Sequence, residues 1–433
     1  MARTSIGLDI GTRAVSLAEL NIGGHPTVTR FGRMLLPAGA VEHGEVRDPA
    51  AVGDTIAKLW KRLGMNGNKS VHVGVANRRV VVRVIELPAM SREDLAGAIR
   101  FQAQDHIPIP LDEAVMDYEV LEEIDGPTGK MQRILVVAAE RGTIAPLLEA
   151  VRAAHLEAAS LEFNAYPLMR CFGSESGAAQ AVVDIGAGVT NIVVLQGGKI
   201  RFTRTLPNFG GDDFTQAIVD RLRVSREDAE RIKREASAML RDRASSPMSA
   251  SPVVEDVHIQ PMNHEVSVPS APSAPSASEI EPAPEVPHVV APAWGPQPIG
   301  GGAAVQTAVA SSPVAVVVQA PTYVAAAPAQ TDAVAEVLEP MLDRLVTEVR
   351  GSIDFYTSQP DASPLERIVL TGGGSLMGGV AERLQASLGL PTEPGHPFER
   401  VPVGKINVSK QEVAVAEPFM GVAFGLALAG SGA

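Results

Sequence analysis

The sequence predicts an α/β protein built from two duplicated lobes that face a shared cleft. Strand and helix patterns alternate at both ends of the chain, and one strand-turn-strand pattern occurs twice. At 433 residues the chain also exceeds what one ordinary core supports, and its 45% apolar content is enough to fill two.

Residues 6–9 and 15–20 flank a Gly-centred turn and read as an antiparallel hairpin. Residues 71–75 and 80–87 read as a second strand pair around Asn77. Ser91-Arg92-Glu93-Asp94 is a capping box, with Asp94 reaching back to the Ser91 amide. The helix it opens must stop before Ile107-Pro108-Ile109-Pro110, because a residue preceding proline is driven out of the helical region. A buried strand follows at 134–139 and a helix at 144–154. Then the opening recurs: Ala181-Val182-Val183-Asp184-Ile185-Gly186 echoes Ile6-Gly7-Leu8-Asp9-Ile10-Gly11, each followed by a second apolar strand. Residues 244–330 differ in kind, with no Lys, Arg or Phe and with runs such as Ser270-Ala271-Pro272-Ser273-Ala274-Pro275. Such a tract buries too little to offset ordering entropy and reads as a disordered insertion, with 314–318 as a transient strand.

Composition excludes several functions. A net charge of -13 with no basic stripe argues against nucleic acid as a partner. The single cysteine, Cys171, permits neither an intrachain disulfide nor a cysteine metal site, and its apolar neighbours read as packing. The N-terminus carries no signal core, and the apolar stretch 419–429 is well short of the roughly 20 residues of a membrane helix. A cytoplasmic protein is expected, held at any membrane only through others.

The repeated turn suggests chemistry. An Asp at the end of a buried strand can meet the water shell of a divalent cation, and Mg²⁺ prefers one or two carboxylates plus phosphate oxygens. Asp9 and Asp184, one from each lobe, fit that role through water. Gly11, Gly186 and Gly188 let backbone N–H groups approach phosphate, and Thr12 and Thr190 add hydroxyls. A single copy would read as an ordinary hairpin turn; two copies favour phosphate binding. Ile368-Val369-Leu370-Thr371-Gly372-Gly373-Gly374-Ser375, a strand running into glycines and then a helical stretch over 376–388, reads as a nucleotide contact. Ser225 and Asp228 form another capping box. On the helix they open, Glu230 and Lys233 share a face, either to grip a nucleoside or as a surface ion pair.

The order of these elements resembles the superfamily of actin, heat-shock chaperone ATPases and sugar kinases, with its ribonuclease-H-like lobes. Within it the chain resembles the PilM family of type IV pilus assembly proteins, close to the cell-division protein FtsA. The carrying residues include the two Asp-Ile-Gly motifs and Ala98-Ile99-Arg100-Phe101-Gln102-Ala103-Gln104-Asp105-His106-Ile107-Pro108. Met116-Asp117-Tyr118-Glu119-Val120-Leu121, Asn208-Phe209-Gly210-Gly211-Asp212-Asp213-Phe214-Thr215 and Ser352-Ile353-Asp354-Phe355-Tyr356 add to them. The resemblance implies ATP and Mg²⁺ in the cleft. Asp9, Gly11 and Thr12 would form the first phosphate motif, and Asp184, Gly186, Gly188 and Thr190 the second. Gly210 and Gly211 match a sugar-side loop, Glu230 and Lys233 a nucleoside clamp, and Gly372, Gly373, Gly374 and Ser375 the adenosine motif. Arg13 stands where many relatives carry a small residue, and either pairs with phosphate or points to solvent. Glu162 falls where the chaperone branch places a water-orienting carboxylate.

The implied organisation is a first lobe over 1–165, with a partner-binding subdomain at about 76–157, and a second lobe over 166–243 and 331–433. PilM proteins bind the short N-terminal cytoplasmic peptide of the membrane protein PilN, in a groove beside that subdomain. The resemblance therefore implies an ATP-binding scaffold of the pilus inner-membrane platform, in contact with PilN and other platform proteins, with self-association left open. An FtsA-like division protein, which generally ends in an amphipathic membrane helix, is the alternative. A small-molecule kinase is a third, lacking any candidate base for the acceptor hydroxyl.

Overall fold

Strand β1 (Thr4–Ile10) turns back on β2 (Ala14–Asn21) as an antiparallel hairpin, with Asp9 opposite Ser16, and β3 (Thr27–Leu35) continues the meander with Arg33 opposite Ser16. The structure is a computed structural model that describes residues 3–245 and 328–431 apart from 78, 127, 128, 175, 361, 405 and 407. A two-strand ribbon, β4 (Val41–Glu42) and β5 (Glu45–Val46), leads into helix α1 (Pro49–Arg62). Asp48 caps α1 by accepting from the Ala51 N–H at 3.0 Å, and Pro49 presets its first turn. Strand β6 (Ser70–Val75) then lies parallel to β1.

Next come β7 (Val80–Pro88), α2 (Arg92–His106), β8 (Ala114–Gly126) and β9 (Gly129–Glu140), which form a separate three-stranded sheet in the order β7-β9-β8. Val71–Val75 and Val80–Leu87 are both strands, but they do not pair with each other as the sequence suggested. β6 joins β1, and β7 joins β9. The apolar faces decide this: Val71 and Val73 enter the core of the large sheet, whereas Ile85 and Leu87 pack with Leu95 and Ile99 of α2. The Ser91 cap is present, with its hydroxyl accepting from the Asp94 amide at 3.2 Å. The Asp94 carboxylate takes the Ser91 hydroxyl, at 2.6 Å, in place of the expected amide. Helix α3 (Arg141–Ala153), strand β10 (Glu157–Phe163) and helix α4 (Ala165–Phe172) complete this half, giving a five-stranded sheet β10-β6-β1-β2-β3.

The second half repeats that order. β11 (Ala179–Ile185), β12 (Val189–Gln196) and β13 (Lys199–Pro207) form the meander, followed by α5 (Gly211–Leu222), α6 (Arg226–Ser245) and α7 (Pro328–Thr357). β14 (Leu365–Thr371), α8 (Val380–Leu388) and β15 (Thr392–Pro394) close a sheet ordered β13-β12-β11-β14-β15, in which β14 is parallel to β11 as β6 is to β1. The expected insertion at 244–330 falls almost wholly outside the described residues, as does 314–318; Ala244 and Ser245 end α6, and α7 begins at Pro328. The helical stretch expected over 376–388 is split: a 3-10 turn spans Gly373–Leu376 and the α-helix starts only at Val380. The break comes where Gly378 passes over the Ser237 carbonyl of α6, too close for any side chain.

Short helices α9 (Pro397–Arg400), α10 (Lys410–Ala416) and α11 (Gly421–Leu428) end the described chain. The faces of the two sheets are used differently. Ile6, Leu8 and Ile10 face α1 and α3, and Ala181, Val183 and Ile185 face α5, α6 and α7. The opposite faces meet α4 and α11, whose Leu168, Val422 and Leu426 share one cluster with Val182 and Val193. Cys171 on α4 is buried there among apolar side chains, and burial pushes its thiol pKa up. The apolar C-terminal stretch is thus core packing. Among the described residues no single helix is long and apolar enough to cross a membrane.

Candidate functional site

The two Asp-Ile-Gly turns are built alike. Gly11 N–H donates to Ala14 O at 3.0 Å, and Gly186 N–H donates to Val189 O at 2.9 Å, so each hairpin is closed by the same bond. Side chains alternate along a strand, so Asp9 shares the face of Gly7, and Asp184 that of Val182. Both carboxylates therefore lie in the layer of α4 and α11, between the sheets. Asp184 is buried, accepts from Asn191 Nδ2 at 3.2 Å, and Thr205 Oγ1 holds the Asn191 carbonyl oxygen at 3.0 Å.

Burial and the nearby Asp184 charge push the Asp9 carboxyl up to about 7, against the pull of Arg33; burial pushes Asp184 up to about 6, opposed by Asn191. Two carboxyls raised by burial, one also by the other's charge, form a site that a cation would relieve. Among the described residues no group of three or more His, Cys, Asp or Glu forms a protein cage. Two carboxylates and glycine turns instead fit a hydrated Mg²⁺ completed by phosphate oxygens.

The turns touch across the cleft. Gly188 points at Thr12, and a Cβ there would lie 3.0 Å from His43 Cα and collide with the Thr12 hydroxyl. Thr12 Oγ1 accepts from Gly44 N–H at 3.1 Å, and His43 Nδ1 lies 3.3 Å from Gly188 O. Arg13 Nε donates to Asp212 at 2.6 Å, so Arg13 does not simply point to solvent; it ties the first hairpin to the start of α5. Gly210 and Gly211 lie on the second hairpin, with Gly211 N–H donating to Gly186 O at 2.9 Å and Thr190 Oγ1 to Phe209 O at 2.6 Å.

Glu230 and Lys233 on α6 sit beneath this loop. Lys233 Nζ donates to Gly211 O at 2.7 Å, Thr215 Oγ1 at 2.6 Å and Glu230 at 2.9 Å. Burial lowers the Lys233 pKa; burial alone would raise that of Glu230, but Lys233, Thr215 and Arg13 bring it down. The pair is thus partly buried and built into the cleft wall, beyond a surface ion pair. The glycine turn after β14 closes on the same place. Gly372 has φ +82, and a Cβ there would lie 2.6 Å from Asp184 Oδ1. Ser375 turns inward, donating its hydroxyl to Gly372 O at 2.7 Å.

All sixteen residues expected to hold nucleotide lie on or beside these turns, and several of them, Arg13, Thr190, Lys233 and Ser375 included, have polar atoms engaged by protein. Glu162 is placed elsewhere. It lies two strands from Asp9, about 10 Å along the row. Its carboxylate is taken by Arg170 of α4 and by the Ser160 hydroxyl at 3.0 Å. Glu162 thus sits in an ion pair inside the helix layer, with no contact to either aspartate.

The family model described as type IV pilus assembly protein PilM matches residues 7–242. The chain belongs to that family. With its two sheets of matching order, this PilM-family chain has the actin-like ATPase fold. The model of cell division protein FtsA matches residues 181–419 as well. Among solved structures, a PilM-PilN type IV pilus biogenesis complex is similar at 25% identity and TM-score 0.70, over 100% of this chain and 99% of that one. The cell division protein FtsA of Bacillus subtilis is 41% identical over 71 residues, a stretch that spans only 16% of this chain and 16% of that protein. MreB5 of Spiroplasma citri, in a structure bound to ADP, is a more distant likeness, at 13% identity and TM-score 0.43 over 98% of this chain and 94% of that one.

Sequence reasoning missed three residues of this PilM-family cleft: His43, Arg33 and Phe419. His43 occupies a turn with φ +47 and reaches the opposite lobe, yet nothing in Glu42-His43-Gly44-Glu45 announces more than a tight turn. The guanidinium of Arg33 rests 4.4 Å from the centroid of the Phe419 ring, a pairing across most of the chain that no local pattern carries.

Proposed function

We propose that this chain is an ATP-binding scaffold of the type IV pilus inner-membrane platform, which docks the N-terminal tail of a PilN-like membrane protein and is tuned by nucleotide. The observation that carries the nucleotide reading is the pair of raised carboxyls, the partly buried Asp9 and the buried Asp184, at two matching turns that meet across a cleft. ATP would bring Mg²⁺, which compensates both carboxylates; the glycine turns would cradle phosphates; Glu230 and Lys233 would face the nucleoside. Hydrolysis forms no part of the proposal, since Glu162 is engaged by Arg170.

Two facts support the docking reading. The chain is similar along its whole length to a PilM solved in complex with PilN. Four of the eight exposed large apolar side chains among the described residues, Val84, Phe101, Val115 and Val120, belong to the small β7-β9-β8 unit, and Phe101 is 73% exposed. That unit is tied to the second lobe, where Glu122 of β8 accepts from Arg201 of β13 at 2.8 Å, and to the inter-sheet layer, where Tyr166 of α4 donates to Glu119 at 2.5 Å. A change of lobe geometry would therefore be felt at the docking face.

Calorimetric titration tests both halves. Micromolar Mg-ATP binding that is lost in Asp9→Ala/Asp184→Ala is the expected result, and undiminished affinity in the double variant would overturn the nucleotide site. A PilN-like N-terminal peptide is expected to bind with an affinity that ATP alters, and Phe101→Ser to weaken it by about tenfold. The match of the FtsA model over 181–419 favours a second reading, a division-type protein that assembles with copies of itself. No peptide binding, together with ATP-dependent sedimentation, would move the conclusion there.

A further inference from the structure

Arg33 is a cation of the cleft that makes no hydrogen bond and no ion pair among the described residues. It stands near the end of β3, in one cross-strand row with Ser16 and Asp9. Phe31, two residues before it on the same face, packs against Phe424 of α11, so Arg33 also points into the layer between the sheets. Ser16 is small and buried, which lets the longer Arg33 stem pass over it toward Asp9. Among the described residues the guanidinium makes no hydrogen bond and no ion pair; its neighbour is the Phe419 ring, 4.4 Å away. Burial draws the guanidinium's pKa down and the Asp9 charge draws it back up.

Phe419 in turn abuts the glycine turn, where a Cβ on Gly373 would lie 2.7 Å from the ring edge. The Pro418 carbonyl before it accepts from Gly372 N–H at 2.8 Å. Arg33, Phe419 and Gly372–Gly374 are therefore one stack that runs from the first sheet to the second, with both aspartates alongside. A guanidinium resting on an aromatic face keeps its in-plane N–H groups available, and those groups match the spacing of phosphate oxygens.

We propose that Arg33 is an anion-binding residue of the nucleotide cleft, holding the polyphosphate with a planar fork that Phe419 keeps in position. This rests on the nucleotide reading above. It assigns to β3 a role in binding and makes the Arg33–Phe419 stack the link between phosphate and the adenosine-side glycine turn. Carboxylates alone would repel a nucleotide whose metal is loosely held. A fixed cation beside them gives the phosphates a partner independent of the metal.

The test is titration of wild type, Arg33→Gln and Arg33→Lys with Mg-ATP, Mg-ADP and adenosine, beside the melting temperature of each ligand-free protein. Arg33→Gln is expected to weaken ATP and ADP by about tenfold or more and to leave adenosine unchanged. Its ligand-free melting temperature should stay close to that of wild type. Equal ATP affinity in wild type and Arg33→Gln overturns the assignment while the nucleotide site stands. A variant that only melts lower, with ATP affinity intact, overturns it in favour of a packing role. Wild type that binds no nucleotide overturns the underlying reading and this one with it. Should Arg33→Gln fail to fold, Arg33→Lys decides: a point charge in place of the fork should weaken ATP several-fold, and unchanged affinity overturns the proposal.

Discussion

Asp9 shows how one residue couples stability to ligand. Its folded-state pKa of about 7 exceeds the usual 3.8, because burial and Asp184 disfavour its charge. Between those values the folded protein binds a proton that the unfolded chain does not. The group's favourable contribution is therefore complete below the unfolded value and lost as pH rises through about 7. Asp9→Asn, which cannot ionise, should accordingly melt several degrees higher than wild type at about pH 8, with the gain fading toward about pH 4. Differential scanning fluorimetry of the ligand-free proteins across that range checks it, and a gain that grows toward acid would contradict the raised carboxyl. Mg-ATP should reverse the ranking at about pH 8, since wild type then gains a cation partner that the variant lacks.

At the scale of elements, close approaches carry the geometry. The turn after β14 can press on Asp184 only because Gly372 adopts φ +82 and lacks a Cβ. Gly372→Ala should destabilise the fold by about 2 kcal/mol or more, the sum of backbone strain and displacement of the turn. Urea unfolding measures it, and a loss of a few tenths would mean the turn relaxes freely. The crossing of α4 and α11 is equally tight, for a Cβ on Gly425 would collide with the Pro167 carbonyl. Gly425→Val should prevent these helices from sharing the inter-sheet core and give little soluble protein. The pairings of β6 and β7 show why elements were easier to read than partners. Residues 71–75 and 80–87 each have strand composition, but which sheet a strand joins depends on the apolar face it finds, and that face is assembled from distant segments.

For the whole molecule, the cross-cleft contacts set how readily the lobes part. The Arg13–Asp212 pair, with side chains 28% and 19% exposed, joins residues 199 positions apart and is reinforced by Arg226 at 2.9 Å from Asp212. A pair still partly open to solvent contributes modestly, about 0.5–1 kcal/mol. Asp212→Asn should therefore leave the melting temperature nearly unchanged while the ligand-free protein opens more readily. Small-angle scattering should show a larger radius of gyration, approached by wild type as salt is raised. An unchanged radius would place the restraint in the His43–Gly188 contact instead.

By itself the sequence determined the duplicated strand-turn-strand units, the caps at Ser91 and Ser225, the glycine turn and both aspartates. Each depends on local chemistry: alternation along a strand, a side chain reaching its own helix start, a turn that tolerates only small residues. Tertiary structure alone decided which strands share a sheet, that Glu162 belongs to Arg170, that Arg13 spans the cleft, and that Arg33, Phe419 and His43 stand at the site. Those contacts join residues far apart in the chain, and their energies depend on burial and neighbouring charge that exist only once both lobes have folded against α4 and α11.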